Sequence, residues 1–188
     1  MDEITFWYLI GQSLEQAQDE VDGDDDFSSV SGGARESGAL LDLQLSCLKK
    51  LLTPLSEDEI VGFQEIVDYL MDQAYTWGLW GAAYLMLGGC SDDDFEYFRA
   101  GLILRGKEVY EEALKDPDSL GGVPEIVVCE DLLYLACEVY EERSGDGAIY
   151  ERFREIINVE PAGDPFDEDD ESYFKEHYPR LWERYSQE

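Results

Sequence analysis

Residues 88–99, Gly-Gly-Cys-Ser-Asp-Asp-Asp-Phe-Glu-Tyr-Phe-Arg, place a thiol, a hydroxyl and four carboxylates within one loop and one helical turn. Such a set could form a polar pocket or a metal-binding edge, with Arg99 orienting a carboxylate or an anionic ligand. The same residues could equally cap a helix. Ser91 and the aspartates would then satisfy backbone amides, and Arg99 would pair with Glu96 or another carboxylate. The case for Cys90 as a nucleophile is opposed from within the segment: a helix N-terminus lowers a thiol pKa, whereas neighbouring carboxylates raise it. A Cys–His or Ser–His pair also needs a base, and the single histidine is His177 near the C-terminus, which reads as an ordinary surface residue. Trp77 and Trp80 could line a ligand cleft, although aromatics beside a helix break more often fill the core.

Other chemistry finds less support. Carboxylate pairs for glycoside hydrolysis carry no information where 45 acidic residues supply many chance pairs. The sequence has no GxGxxG, no Walker loop and no HExxH, so neither a nucleotide-dependent nor a redox reaction is indicated, and no cofactor is expected. Asp22, Asp24 and Asp26 alternate like calcium-loop ligands. The pattern fails because Phe27 replaces the required glycine and Gly33 stands at the position of the terminal glutamate. None of Cys47, Cys90, Cys129 and Cys137 forms a CxxC pair or a zinc-spaced cluster. Cys129 and Cys137, eight positions apart on one expected helix, would be ~12 Å apart along its axis. Those two and Cys47 read as buried thiols of a reducing compartment.

The formal net charge is -32, from 45 acidic and 13 basic residues. A field of that sign repels phosphate backbones and anionic membrane surfaces, so no nucleic acid and no membrane is expected as a partner. It permits a basic protein partner, metal cations, or simply high solubility. The 44% hydrophobic and 13% aromatic content, in 188 residues, suits a folded core and not an acidic tail. Asp2 and Glu3 oppose a signal peptide, and the apolar run 79–87 is far short of the ~20 residues of a membrane span, so a cytoplasmic location is expected.

Helical periodicity organises the chain. Phe6, Leu9, Ile10, Leu14 and Ala17 mark a helix over residues 4–20, followed by an acidic loop to residue 33. Leu41, Leu45, Leu48 and Leu52 stripe a helix over 36–52 that Pro54 stops. Ser56 and Glu59 form a capping box for the helix carrying Ile60, Phe63, Val67 and Leu70. Residues 77–89 are apolar all round and read as buried, with Gly81, Ala82 and Ala83 allowing close helix contact and Gly88-Gly89 as a left-handed stop. Ser91 and Asp94 open the next helix with a second capping box, and it runs on through Leu114 with a break at Gly106. Residues 116–122 form a turn-rich stop. Pro124 then suits the first turn of a helix running to about residue 143. A short helix over 149–157, an acidic linker over 160–171 and an aromatic helix interrupted at Pro179 complete the chain. The fold expected is all-α, a compact bundle of roughly seven to nine helices with acidic loops. Residues 1–160 form its single domain, and 161–188 form a linker and a C-terminal aromatic helix packed upon it.

Several stretches together resemble a family. The runs Leu79-Trp80-Gly81-Ala82-Ala83-Tyr84, Gly88-Gly89-Cys90-Ser91-Asp92-Asp93, Tyr97-Phe98-Arg99 and Asp116-Pro117-Asp118-Ser119-Leu120 are similar to an uncharacterised bacterial family, a domain of unknown function (DUF4240). The resemblance covers about residues 4–122. It implies a cytoplasmic helical domain with no established activity. It adds weight to a ligand or partner role for Ser91, Asp92, Asp93, Arg99 and the Asp116-Pro117-Asp118 turn. The candidate site is therefore Trp80, Cys90, Ser91, Asp92, Asp93, Arg99, Asp116 and Asp118, with no catalytic residue and no metal ligand assigned. One position departs from the pattern: Gly101 stands where the resemblance implies a large aromatic, which would alter any pocket that residue lined. The function expected is a non-catalytic binding or protein-interaction module. The alternatives are an acidic inhibitor or immunity-type protein for a basic toxin or nucleic-acid-binding protein, and a hydrolase or metal-dependent enzyme using residues 91–99.

Overall fold

The structure is a computed structural model that describes residues 1–23, 33–124, 126–145, 149 and 160–186. Among these it contains nine α-helices: α1 (Glu3–Gly23), α2 (Gly33–Leu52), α3 (Glu57–Gln73), α4 (Trp77–Leu87), α5 (Asp92–Leu104), α6 (Lys107–Lys115), α7 (Leu132–Ser144), α8 (Glu171–His177) and α9 (Pro179–Tyr185). A 3-10 helix, Pro117–Gly122, follows α6 where a turn is expected. The chain is thus all-α. No described helix is long and apolar enough to cross a membrane. Most of the acidic run after α1 and the helix expected over 149–157 lie outside the described residues, apart from Ile149.

Local signals set most helix boundaries. Ser56 Oγ accepts from Glu59 N at 3.3 Å while Ser56 N donates to the Glu59 carboxylate at 2.8 Å, which completes the box that opens α3. Ser91 and Asp94 repeat the arrangement at α5, both backbone bonds being 3.2 Å. Gly88, at φ 69°, ends α4 in the left-handed conformation that costs glycine nothing. Around these ends one core forms with contributions from every helix from α1 to α7, with Phe6, Phe63, Phe95 and Phe98 fully buried. The apolar helix α4 is less completely covered than its composition implies. Leu79, Ala82 and Ala83 are buried, but Trp77, Trp80 and Tyr84 keep an open edge.

One expected helix is wrong at its start. Residues 126–129 are not helical, and α7 begins only at Leu132. The periodicity of Ile126 and Cys129 is real, and both are buried. They reach the core by lying along α5, where Cys129 N donates to Tyr97 O at 2.9 Å. Gly101 permits this approach: a Cβ there would stand 2.0 Å from Val127 O. The aromatic implied by the family pattern has no room against this backbone. Cys129 is therefore off the helix, and the helical spacing to Cys137 does not apply. Cys47, Cys129 and Cys137 are buried and Cys90 is partly exposed.

The C-terminal helices dock on α4 and on the 3-10 helix. Tyr178 donates to Gly78 O at 2.9 Å, and its hydroxyl lies where a Cβ at Gly81 would be, 2.5 Å away. Ala162 joins this docking through a parallel bridge to Thr76, in which Trp77 N donates to Ala162 O and Ala162 N to Tyr75 O, both at 2.9 Å. The segment expected as a linker is thus pinned at this point.

Candidate functional site

A cleft of about 550 Å³ opens between α3, the first turns of α5 and the start of α7. From α3 come Gln64, Asp68, Met71 and Asp72, which share one face at four- and seven-residue spacing, and Tyr75 follows just past its C-terminal end. From α5 come Asp92, Asp93, Glu96 and Arg99, and from α7 Leu133 and the half-exposed Tyr134. Five carboxylates thus face one guanidinium.

That guanidinium is already engaged. Arg99 Nη1 donates to Met71 O at 2.7 Å and Nε to Phe95 O at 3.3 Å. The C-terminal end of α3 exposes carbonyls with no intrahelical partner and carries no basic residue in its last turn. Arg99 supplies the missing cation from α5, and Tyr110 adds a 2.6 Å bond to Leu70 O. The Arg99 guanidinium also covers the rings of Tyr75 and Phe95 at 4.7 and 5.0 Å, at the end of a stack that continues through Trp80 to Trp77. Sequence left open whether Arg99 pairs with a carboxylate or orients a ligand; in the fold it caps α3 through Met71 O and bonds Phe95 O of its own helix. Burial holds its pKa below the ordinary arginine value, against an upward pull from Glu96 and Asp72.

The cleft also holds buried acceptors that lack donors. Gln64 is 3% exposed, and its amide nitrogen donates to Asp68 Oδ1 at 2.8 Å. An ionised carboxylate only accepts, so this bond fixes which end of the amide is nitrogen. Gln64 Oε1 is left buried without a hydrogen-bond partner, as is Asp72 Oδ1. Burial pushes the Asp68 carboxyl above its ordinary value; the Gln64 bond only partly offsets this. The folded protein therefore binds a proton at Asp68 more readily than the unfolded chain. The resulting penalty is absent below the ordinary carboxylate range of about pH 4. It develops as pH rises toward the raised folded value and is complete above it. Asp68→Asn keeps an acceptor for Gln64 and should stabilise the protein at neutral pH, the gain shrinking on acidification. Urea midpoints of both proteins across that range check this.

Of the residues singled out from sequence, Asp92, Asp93 and Arg99 come together at this cleft. Trp80 lies behind it in the aromatic stack, with its indole N–H donating to Cys90 O at 3.0 Å. Ser91 is occupied as the α5 cap. Burial, aided by Asp94 and Asp92, pushes the Cys90 thiol up to about 12, which leaves it protonated at neutral pH. His177 lies on α8, stacked on Tyr173 at 4.1 Å. Asp116 and Asp118 belong to a different feature. Asp118, 4% exposed, accepts from Arg180 N and Leu181 N at 3.0 Å and from Arg180 Nε at 2.9 Å, while Asp116 pairs with Arg180 Nη2. The pair clasps α9 to the 3-10 helix. Sequence reading missed the α3 wall. Gln64, Asp68 and Asp72 look like the ordinary polar flank of an amphipathic helix, and the available signal was only their shared face, four residues apart. Gly101 lines no part of the cleft. Among the described residues, no three of His, Cys, Asp and Glu stand close enough together to hold a metal ion.

The chain belongs to the family described as "Protein of unknown function (DUF4240)", whose model matches residues 1–142. The match runs past the expected limit at residue 122 and through most of α7, so it includes every element of the cleft but not α8 and α9. No curated protein and no solved structure matches the chain.

Proposed function

We propose that this protein is a non-catalytic binding module that takes a cationic group in the cleft between α3, α5 and α7. One observation carries the reading: the cleft gathers five carboxylates around a guanidinium already bound to main-chain oxygens, so their charge is not met by a basic side chain of the lining. A ligand bearing N–H⁺ groups meets this negative field and donates charge-assisted hydrogen bonds to the carboxylates. Basic side chains of a partner protein are one source of such groups, and the net charge of -32 steers them inward.

A peptide carrying two adjacent basic residues, titrated into the full chain near ~0.15 M ionic strength, tests this. Asp72→Asn with Asp93→Asn should weaken binding by about tenfold or more. Glu176→Gln with Glu183→Gln removes the same charge from α8 and α9, and screening should hold its effect to about twofold. Equal losses in the two double variants would mean diffuse attraction to an acidic surface, and the reading would be wrong.

A further inference from the structure

We propose that the groove between α4 and the 3-10 helix, filled here by the chain's own α8 and α9, also takes these two helices from a second copy, so that copies link tail to groove. Groove and occupant are separable parts of the sequence. α4 and the 3-10 helix lie within residues 1–142, which the family model matches, and α8 and α9 lie beyond them. This groove is a different face from the cation cleft, and the inference does not depend on that reading.

The groove recognises side chains and not their tether. Phe174 stacks on Tyr84 of α4, with ring centroids 5.6 Å apart. Tyr178 occupies the notch that Gly81 leaves: the three atoms nearest to a Cβ there all belong to this tyrosine. Gly121 makes a second notch, where a Cβ would stand 2.7 Å from Arg180 Cβ. Asp118, buried beneath, holds the first amides of α9, and Arg184 Nη1 donates to Val123 O at 2.6 Å and to Gly121 O at 3.2 Å. Phe174, Tyr178 and Leu181 are buried in this seating. Aromatic anchors in notches and an arginine held by a buried carboxylate are the features that carry most of the energy in interfaces between proteins.

A vacated groove would bare the face of Tyr84 and leave Asp118 without its donors, so it has a need for an occupant. The chain's own tail meets this need at an effective concentration on the order of millimolar, which favours the monomer in dilute solution. A second copy's tail carries the same anchors and enters where the first is displaced. Two chains of net charge -32 repel one another, so salt favours this exchange, whereas it weakens cation capture in the cleft.

Two full-length variants, mixed in equal amounts and followed by sedimentation velocity, test the proposal. Gly81→Leu fills the notch and frees its tail. Tyr178→Ala/Arg180→Ala keeps an open groove and a tail that cannot anchor. Each alone should stay monomeric, and the mixture should form a one-to-one dimer, about tenfold or more tighter than either self-association. Adding Asp118→Ala to the second variant should weaken that dimer by about tenfold. Raising salt from ~0.05 M to ~0.5 M should strengthen it. Thermal melts verify folding. Where either variant fails to fold, a peptide of residues 171–186 titrated into full-length Tyr178→Ala decides instead: saturable binding that Asp118→Ala removes is expected, and no binding overturns the proposal. A mixture that sediments as its components do alone overturns it too. So does a dimer that dissolves as salt rises, because that is attraction between charges and not seating in the groove.

Discussion

Asp118→Ala should lower stability by about 2–4 kcal/mol and release α8 and α9 from the rest of the fold. Its nearly buried carboxylate accepts the first two N–H groups of α9 and the Arg180 Nε, so one side chain is both helix cap and ion-pair partner. Removing it strands two backbone donors, each worth about 1 kcal/mol on the scale of a lost cap. Arg180 is half-exposed and can rehydrate, which keeps the loss below that of a fully buried pair. In a chain of this size 1 kcal/mol shifts the melting temperature by about 2–4 °C, so a fall of about 5–15 °C is expected. Proteolysis should speed up within residues 160–171 before the core is attacked. Asp118→Asn retains an oxygen for the two backbone donors and should cost less. An unchanged melt and digestion pattern for Asp118→Ala would contradict the clasp.

A second large effect is expected at Gly101. Alanine there would gain about 1 kcal/mol of helix propensity over glycine. Its Cβ, however, meets Val127 O at 2.0 Å and Val127 C at 3.1 Å, and a carbonyl in a bonded backbone cannot rotate aside as a side chain can. Overpacking of this kind outweighs the propensity gain, so Gly101→Ala should lose about 2–3 kcal/mol net. Gly11 on α1 supplies the contrast, because a Cβ there meets nothing within 4 Å. Gly11→Ala should be neutral or stabilise by up to about 1 kcal/mol. A denaturant midpoint that falls for Gly101→Ala and does not fall for Gly11→Ala would establish that the path of residues 126–129 along α5 is what Gly101 serves.

These two sites show what could and could not be seen in the sequence. Helix starts at Ser56 and Ser91, the stop at Gly88, the break at Gly106 and the interruption at Pro179 were legible because each is decided within a few residues by capping or backbone freedom. Residues 126–131 were not, since Ile126, Cys129 and Leu133 fit a helical stripe while the main chain is held to α5 by a bond across the fold. The cleft divides in the same way. Asp92, Asp93 and Arg99 stood out as a dense local cluster. Gln64, Asp68 and Asp72 were hidden because their distinctive property is the missing donor, which only the packed structure reveals. Asp116 and Asp118 were noticed as a turn, but their partner Arg180 is more than sixty residues away in sequence.

The central claim, that the α3–α5–α7 cleft is a cation site, is tested most directly by following the side-chain amide of Gln64 in a nitrogen–proton correlation spectrum during titration with the dibasic peptide. That amide lines the cleft and donates to Asp68 at 2.8 Å, so it reports on a cation that enters beside Asp68. Saturable shifts of the Gln64 amide and of the backbone amides of Asp68, Asp72 and Glu96, abolished in Asp72→Asn, are predicted. Small shifts spread evenly over the acidic surface, with Gln64 unmoved at saturation, would contradict the claim.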